Sequence, residues 1–143
     1  FIPTDPLLKA LQIAVRRGVE VSLLLSAYSD HPLVHLAQQS YYSELIDAGV
    51  TIHLFKSGFL HAKHMSIDET VAVVGSCNVD IRSFALNSEI SIVLYDRAAA
   101  LALGRIERDR LQQSDKINTC MWECRGLARK CAENIARLFS PLL

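Results

Sequence analysis

The chain has 143 residues, 50% of them hydrophobic and 21% charged, which suits one soluble globular domain with a core of its own. Its 15 basic and 15 acidic residues cancel, a balance that disfavours a dedicated nucleic-acid binder, since such proteins are more often basic. No stretch approaches the roughly 20 apolar residues of a membrane-spanning helix, and no secretory signal pattern occurs in it.

In chain order, Thr4 or Asp5 as N-cap, Pro6 in the first turn, and Leu7, Leu8, Leu11 and Val15 at helical spacing predict a helix that stops at Gly18. Val19 to Leu25 reads as a strand. His31 to Ala48 follows as one helix, with Pro32 near its start and Gly49 past its end, and Val50 to Phe55 as a short strand. The segment from His61 and the β-rich run Thr70 to Val74 form a hairpin, with turn chemistry at Asp68-Glu69. Glu89 to Tyr95 completes the sheet. Ala98 to Leu111 and Leu127 to Phe139 are predicted helices, and Gln112 to Thr119 is the most loop-like stretch. Alternating helices and strands argue for an α/β domain, and no repeat, low-complexity tract or clear linker divides it.

The chemistry concentrates in the hairpin. In an extended segment His61 and Lys63 project from one face with Met65 and Ile67, while Ala62, His64 and Ser66 take the other. An imidazole and an ammonium therefore stand side by side, one suited to act as nucleophile or acid and the other as fixed positive charge. The second strand returns Gly75-Ser76-Cys77-Asn78 beside them. Gly75 allows close backbone approach, Ser76 offers a hydroxyl and Asn78 an amide donor, all suited to phosphate oxygens.

At every defined position, His61-x-Lys63-x4-Asp68-x6-Gly75-Ser76-x-Asn78 resembles the HKD motif of the phospholipase D superfamily, and the pattern occurs once. The following Asp80-x-Arg82-Ser83-x3-Asn87-x-Glu89 resembles its cardiolipin synthase branch. Gly58-Phe59-Leu60-His61, Ser40-Tyr41-Tyr42-Ser-Glu44-Leu45 and the ending Arg137 to Leu143 are similar to that branch too, so the resemblance runs nearly end to end. It implies a phospholipase D-like α-β-α sandwich with a mixed central sheet. The domain, which begins with Phe1 rather than methionine, is expected to be the C-terminal catalytic half of a longer two-motif protein.

The resemblance also implies phosphatidyl transfer to phosphatidylglycerol through a phosphohistidine intermediate, with no metal and no cofactor. Expected partners are a phospholipid substrate and either the N-terminal motif-bearing half of the same protein or a second copy of this chain; nucleic acid is disfavoured. The expected setting is the cytoplasmic face of a bacterial membrane, reached through segments outside this chain, with the isolated piece soluble and inactive. The alternatives are a phosphodiesterase or nuclease of the same superfamily working as a one-motif homodimer, and a non-catalytic scaffold.

Within this frame His61, Lys63, Asn78 and Glu89 are the expected catalytic residues, and Gly75 and Ser76 are expected to bind substrate. In the family the glutamate matching Glu89 orients the motif histidine, so a Glu89 to His61 hydrogen bond is expected. Asp68 is expected to hold the hairpin, and Asp80 and Arg82 to pair or brace their loop. His31, His35, His53 and His64 are read as surface or packing histidines. Tyr41-Tyr42 is read as one ring in the core and one at the surface. Cys77, Cys120, Cys124 and Cys131 lack zinc-ligand spacing and suit reduced thiols, with a Cys120–Cys124 bridge left open. Leu127, Cys131, Ile135 and Leu138 form a helical stripe with Arg129, Lys130 and Arg137 outside it. Packing against the domain is its expected use, and contact with anionic lipid is the alternative.

Overall fold

A computed structural model describes residues 1–140. Pro141, Leu142 and Leu143, part of the ending that carries the resemblance, lie outside the described residues. Helix α1 (Asp5–Arg16) has a proline in its first turn, and Thr4 precedes it in an extended conformation without a side-chain cap. It ends where Gly18 takes φ 90°, a left-handed value that glycine adopts without a Cβ penalty. Strand β1 (Ser22–Ser26) pairs in parallel with β2 (Thr51–Phe55).

The segment expected to be one helix is two, α2 (Pro32–Ser40) and α3 (Tyr42–Asp47). At the junction the Tyr41 N–H bonds to the Gln38 carbonyl at 3.3 Å, a tighter turn than the α-helix makes. With this break both tyrosines are buried, which overturns the expectation of one ring inside and one out. Tyr42 packs against Trp122 with ring centroids 5.2 Å apart and accepts a hydrogen bond from Gln38. The Tyr41 hydroxyl donates to Ser140 at 3.3 Å. These rings join Ile2, Leu8, Ala37, Leu45, Val50, Ile52 and Ala136 in the main core.

The motif strands β3 (His64–Ile67) and β4 (Val71–Gly75) form an antiparallel hairpin, and β5 (Ser91–Leu94) pairs antiparallel with β4. Asp68 and Glu69 at the turn have φ of 48° and 55°, and the Thr70 N–H closes it on the Ile67 carbonyl at 3.0 Å. Paired positive φ values fit a tight hairpin turn, and aspartate tolerates this region better than most residues. Asp68 thus supports the hairpin through its backbone conformation. Helix α4 (Ile81–Ala85) follows β4, and α5 (Arg97–Gln112) covers one face of β3 and β4 through a small core of Ala72, Ala100 and Leu103.

The stretch expected to be a loop contains β6 (Ser114–Lys116), antiparallel to β2. Its residues are too polar and too few to read as a strand, and partnership with β2 makes it one. Among the described residues, hydrogen bonding therefore arranges six strands as two three-stranded sheets, a mixed β1-β2-β6 and an antiparallel β3-β4-β5, where one sheet was expected. The fold is α/β with helices packed on mixed strands, as the sequence implied. Among the described residues, no helix is long and apolar enough to cross a membrane.

Helix α6 (Thr119–Glu123) is capped by Asn118 and leads into α7 (Leu127–Leu138), which packs along α2. The facing of α7 is opposite to the expected one. Ala136 and Glu133 point inward, while Leu127, Cys131, Ile135 and Leu138 face solvent. The Glu133 side chain, only 3% exposed, is held by Arg125 at 2.9 Å and Arg129 at 3.3 Å. Arg129 also bonds Gln39 of α2 at 3.0 Å, and Arg125 lies over the Trp122 ring at 3.4 Å. Arg137 pairs with Glu44 at 3.2 Å and lies over the Tyr41 ring. Charged clamps thus outweigh the apolar stripe in setting the orientation. Replacing Glu133 by Ala is expected to cost about 3–5 kcal/mol, because Arg125 is left buried without its counter-charge. Denaturant unfolding followed by circular dichroism measures this; a loss below about 1 kcal/mol would mean that apolar packing alone holds α7.

Candidate active site

Strand β3 begins only at His64, so His61 and Lys63 stand just ahead of it in an irregular approach. The ladder still reaches them, because the Gly75 N–H bonds to the Lys63 carbonyl at 2.9 Å. The two side chains meet, with Lys63 Nζ 2.5 Å from His61 Nε2. An ammonium only donates, so Nε2 is the acceptor in this contact. The approach is pinned by the Leu60 N–H, which bonds Ser26 Oγ at the end of β1 at 3.4 Å. The Phe59 ring stacks beside His61, with centroids 6.0 Å apart and planes 17° from parallel. Sequence reasoning gave Phe59 no role; its place two residues before His61 was the available signal.

On the returning strand, Gly75 is required by packing. A Cβ there would lie 2.6 Å from the Ile90 carbonyl oxygen and 2.9 Å from Ser91 Cα. The close backbone approach foreseen at Gly75 is thus made by the neighbouring strand segment. The Ser76 N–H bonds the Ile90 carbonyl at 2.9 Å, and Ser76 Oγ accepts the Ile90 N–H at 3.1 Å. The Ser76 hydroxyl donates to the Glu89 carboxylate. Glu89 is therefore not bonded to His61 as expected. Its backbone is zipped to Ser76 just ahead of β5, which brings its carboxylate to Ser76, while His61 Nε2 is taken by Lys63.

His61, Lys63, Gly75 and Ser76 line one open cleft together with Ala62, His64 and Val74. Glu89 reaches this group through Ser76, and Asn78 is exposed outside the lining. Asp80 and Arg82 do not pair: Asp80 caps α4 by accepting the Ser83 N–H at 2.7 Å, and Arg82 is exposed. Partial burial and the Glu89 and Asp80 carboxylates push the Cys77 thiol up, leaving it a poor nucleophile beside the motif. All four cysteines are free, so the Cys120–Cys124 bridge does not form.

Residues 1–109 match the family model described as cardiolipin synthase, PLD-like domain. The chain belongs to this family, within the phospholipase D superfamily. Over all 143 residues it is 41% identical to cardiolipin synthase 2 of Bacillus anthracis, 37% identical to cardiolipin synthase 1 of Staphylococcus epidermidis and 38% identical to cardiolipin synthase A of Serratia proteamaculans. It spans 28–29% of the length of these relatives. The crystal structure of Nuc, a phospholipase D family member from Salmonella typhimurium, has the same fold, with a TM-score of 0.70 over 82% of this chain and 76% of that one, at 20% identity.

In this phospholipase D domain the motif strand is braced from its hidden face. Arg110 Nη1 donates to His64 Nε2 at 2.9 Å, which leaves the ring proton on Nδ1, donating to Glu107 Oε1 at 3.0 Å. Ser66 donates to the other Glu107 oxygen. His64 is thus a satisfied packing histidine, but Glu107 and Arg110 were missed, since nothing local links α5 to β3. Burial alone would raise the Glu107 pKa; hydrogen bonds from His64 and Ser66 outweigh it and hold the carboxyl below its usual range.

Two predictions follow from this packing. Gly75→Ala is expected to cost about 1–3 kcal/mol of stability through overpacking, read as a lowered denaturation midpoint; an unchanged midpoint would show that β5 gives way freely. A depressed carboxyl pKa stabilises fully above the unfolded value of about 4.3 and loses that stabilisation as pH falls through the folded value. Glu107→Gln should therefore lose about 1–3 kcal/mol at neutral pH and fall less steeply than the parent in acid. Parallel stability curves for the two proteins from neutral pH down would refute this role.

Proposed function

We propose that this chain is the C-terminal catalytic half of a cardiolipin synthase-type phosphatidyltransferase, contributing one of two motif sets to a composite site. The observation that carries the reading is Lys63 Nζ held 2.5 Å from His61 Nε2 in an open cleft, in a chain that is similar along all its 143 residues to part of several cardiolipin synthases. Two features support a companion half. The relatives are more than three times as long as this chain. Sheet β3-β4-β5 has α5 on one face, while Met65 and Val93, which flank Val73 across the sheet, remain exposed on the other.

In the proposed reaction the histidine of the companion half attacks the phosphorus of a donor phospholipid, forming an N–P bond as the bond to the head-group oxygen breaks. His61, protonated for this step, gives its proton to the departing alcohol. It then takes the proton of a phosphatidylglycerol hydroxyl, whose oxygen attacks phosphorus and releases the first histidine. Lys63 and Asn78 stabilise the charge on the non-bridging oxygens. Gly75 and Ser76 shape the phosphate side of the cleft, and Glu89 acts through Ser76, which it anchors. Anchorage to the cytoplasmic face of a bacterial membrane comes from segments outside this chain.

In the whole two-motif enzyme His61→Ala should lower phosphatidyl transfer by about 10²–10⁴-fold or more, with stability within about 0.5 kcal/mol of the parent because the site is exposed. The 143-residue chain should be inactive alone and gain activity when mixed with the companion half. Near-normal turnover by His61→Ala would overturn the assignment; phosphodiester hydrolysis by the chain alone as a dimer would favour a one-motif hydrolase instead.

A further inference from the structure

The imidazole on which the proposed chemistry turns lacks the carboxylate expected to orient it. Glu89 is engaged by Ser76. Among the described residues, no acidic side chain lies within ion-pair distance of His61 and no hydrogen bond reaches its Nδ1. Two contacts are left to orient this exposed ring, Lys63 Nζ on Nε2 and the Phe59 ring beside it.

These contacts answer to protonation in opposite ways. Lys63 is a donor, so its bond needs a lone pair on Nε2; a protonated imidazole has none there and meets the ammonium 2.5 Å away as a like charge. The face of the Phe59 ring carries the negative end of the ring quadrupole, which attracts a cation placed within about 6 Å of the centroid. The two centroids are 6.0 Å apart and the planes 17° from parallel, an offset stack that suits imidazole and imidazolium alike. A general acid must be protonated when the head-group oxygen departs, and that is the state in which the Lys63 bond is lost.

The local structure presents Phe59 for this use. Gly58 has φ 152°, a value that L side chains rarely adopt, and a Cβ there would meet nothing within 4 Å. Backbone conformation, not space, therefore calls for glycine before the ring. After it, the Leu60 N–H is pinned to Ser26 Oγ at 3.4 Å. Phe59 itself is 59% exposed and belongs to neither core cluster. A phenylalanine left so far in solvent stabilises little by burial, and its aromatic partner is the imidazole.

On the basis of the acid role proposed for His61, we infer that Phe59 is a positioning residue: its ring holds the His61 imidazolium in place once protonation has separated it from Lys63. When the proton passes from Nε2 to the departing oxygen, the lone pair returns and Lys63 bonds again. The two neighbours thus hold the imidazole in turn through the cycle.

The test compares Phe59→Leu and Phe59→Tyr with the parent in the whole two-motif enzyme. Leucine keeps apolar bulk and removes the π-face; tyrosine keeps that face. Phe59→Leu should lower kcat for phosphatidyl transfer by about fivefold with KM unchanged, while Phe59→Tyr should match the parent. A phosphatidyl donor with a nitrophenyl group in place of its head group needs no general acid, because nitrophenolate leaves without a proton. Its release in the first turnover should therefore be equal in Phe59→Leu and the parent, which also shows that the variant is folded with its site intact. Phe59→Leu at the parental kcat, a loss that tyrosine does not restore, or an equal loss on the nitrophenyl donor would each overturn the positioning role. The acid role has its own control: His61→Ala should lose transfer from the natural donor and keep nitrophenol release, whatever the Phe59 variants do.

Discussion

The hydrogen bond from the Gly75 N–H to the Lys63 carbonyl, 2.9 Å long, is the constraint on which the site depends. It extends the β3–β4 ladder one rung beyond β3 and so holds the irregular approach carrying His61 and Lys63 against the end of β4. It forms because Gly75 lacks a Cβ: Ile90 and Ser91 close against the same backbone from the far side. Ser76 then locks that contact with its N–H, its oxygen and its hydroxyl proton. Three segments distant in sequence are thereby drawn together at one residue pair.

Bracing and chemistry are divided along the motif segment. On the hidden face Glu107 and Arg110 fix His64 and Ser66, so the strand bearing the motif cannot rotate about its axis without breaking charge-assisted bonds. Just ahead of that strand the Lys63 ammonium and His61 imidazole meet in an open cleft. At α7 the same separation of duties turns the apolar stripe outward, since Glu133, Arg125, Arg129 and Arg137 bind the helix to α2 and α3 through charge and ring contacts.

Much of this was legible in the residues alone. The hairpin and its turn at Asp68-Glu69 follow from alternation and turn chemistry, which act between near neighbours. What failed depended on distant partners. The break at Tyr41 follows from burying two adjacent rings, the second against Trp122. The polar run Ser114–Lys116 is a strand because β2 offers it an edge. Glu89 turns to Ser76 because the backbone pairing of residues 76 and 90 carries it there.

The sequence by itself determined the α/β class, the family, and the motif residues that could meet at a phosphate, because all three rest on spacings of a few residues. Only the tertiary structure decided which groups meet: Lys63 with His61, Glu89 with Ser76, Glu107 with His64 across 43 residues, Arg129 with Gln39 across 90. It also decided that the last helix hides its glutamate and shows its leucines. A charge can be buried only where a counter-charge is waiting, and where Arg125 waits is a property of the folded chain.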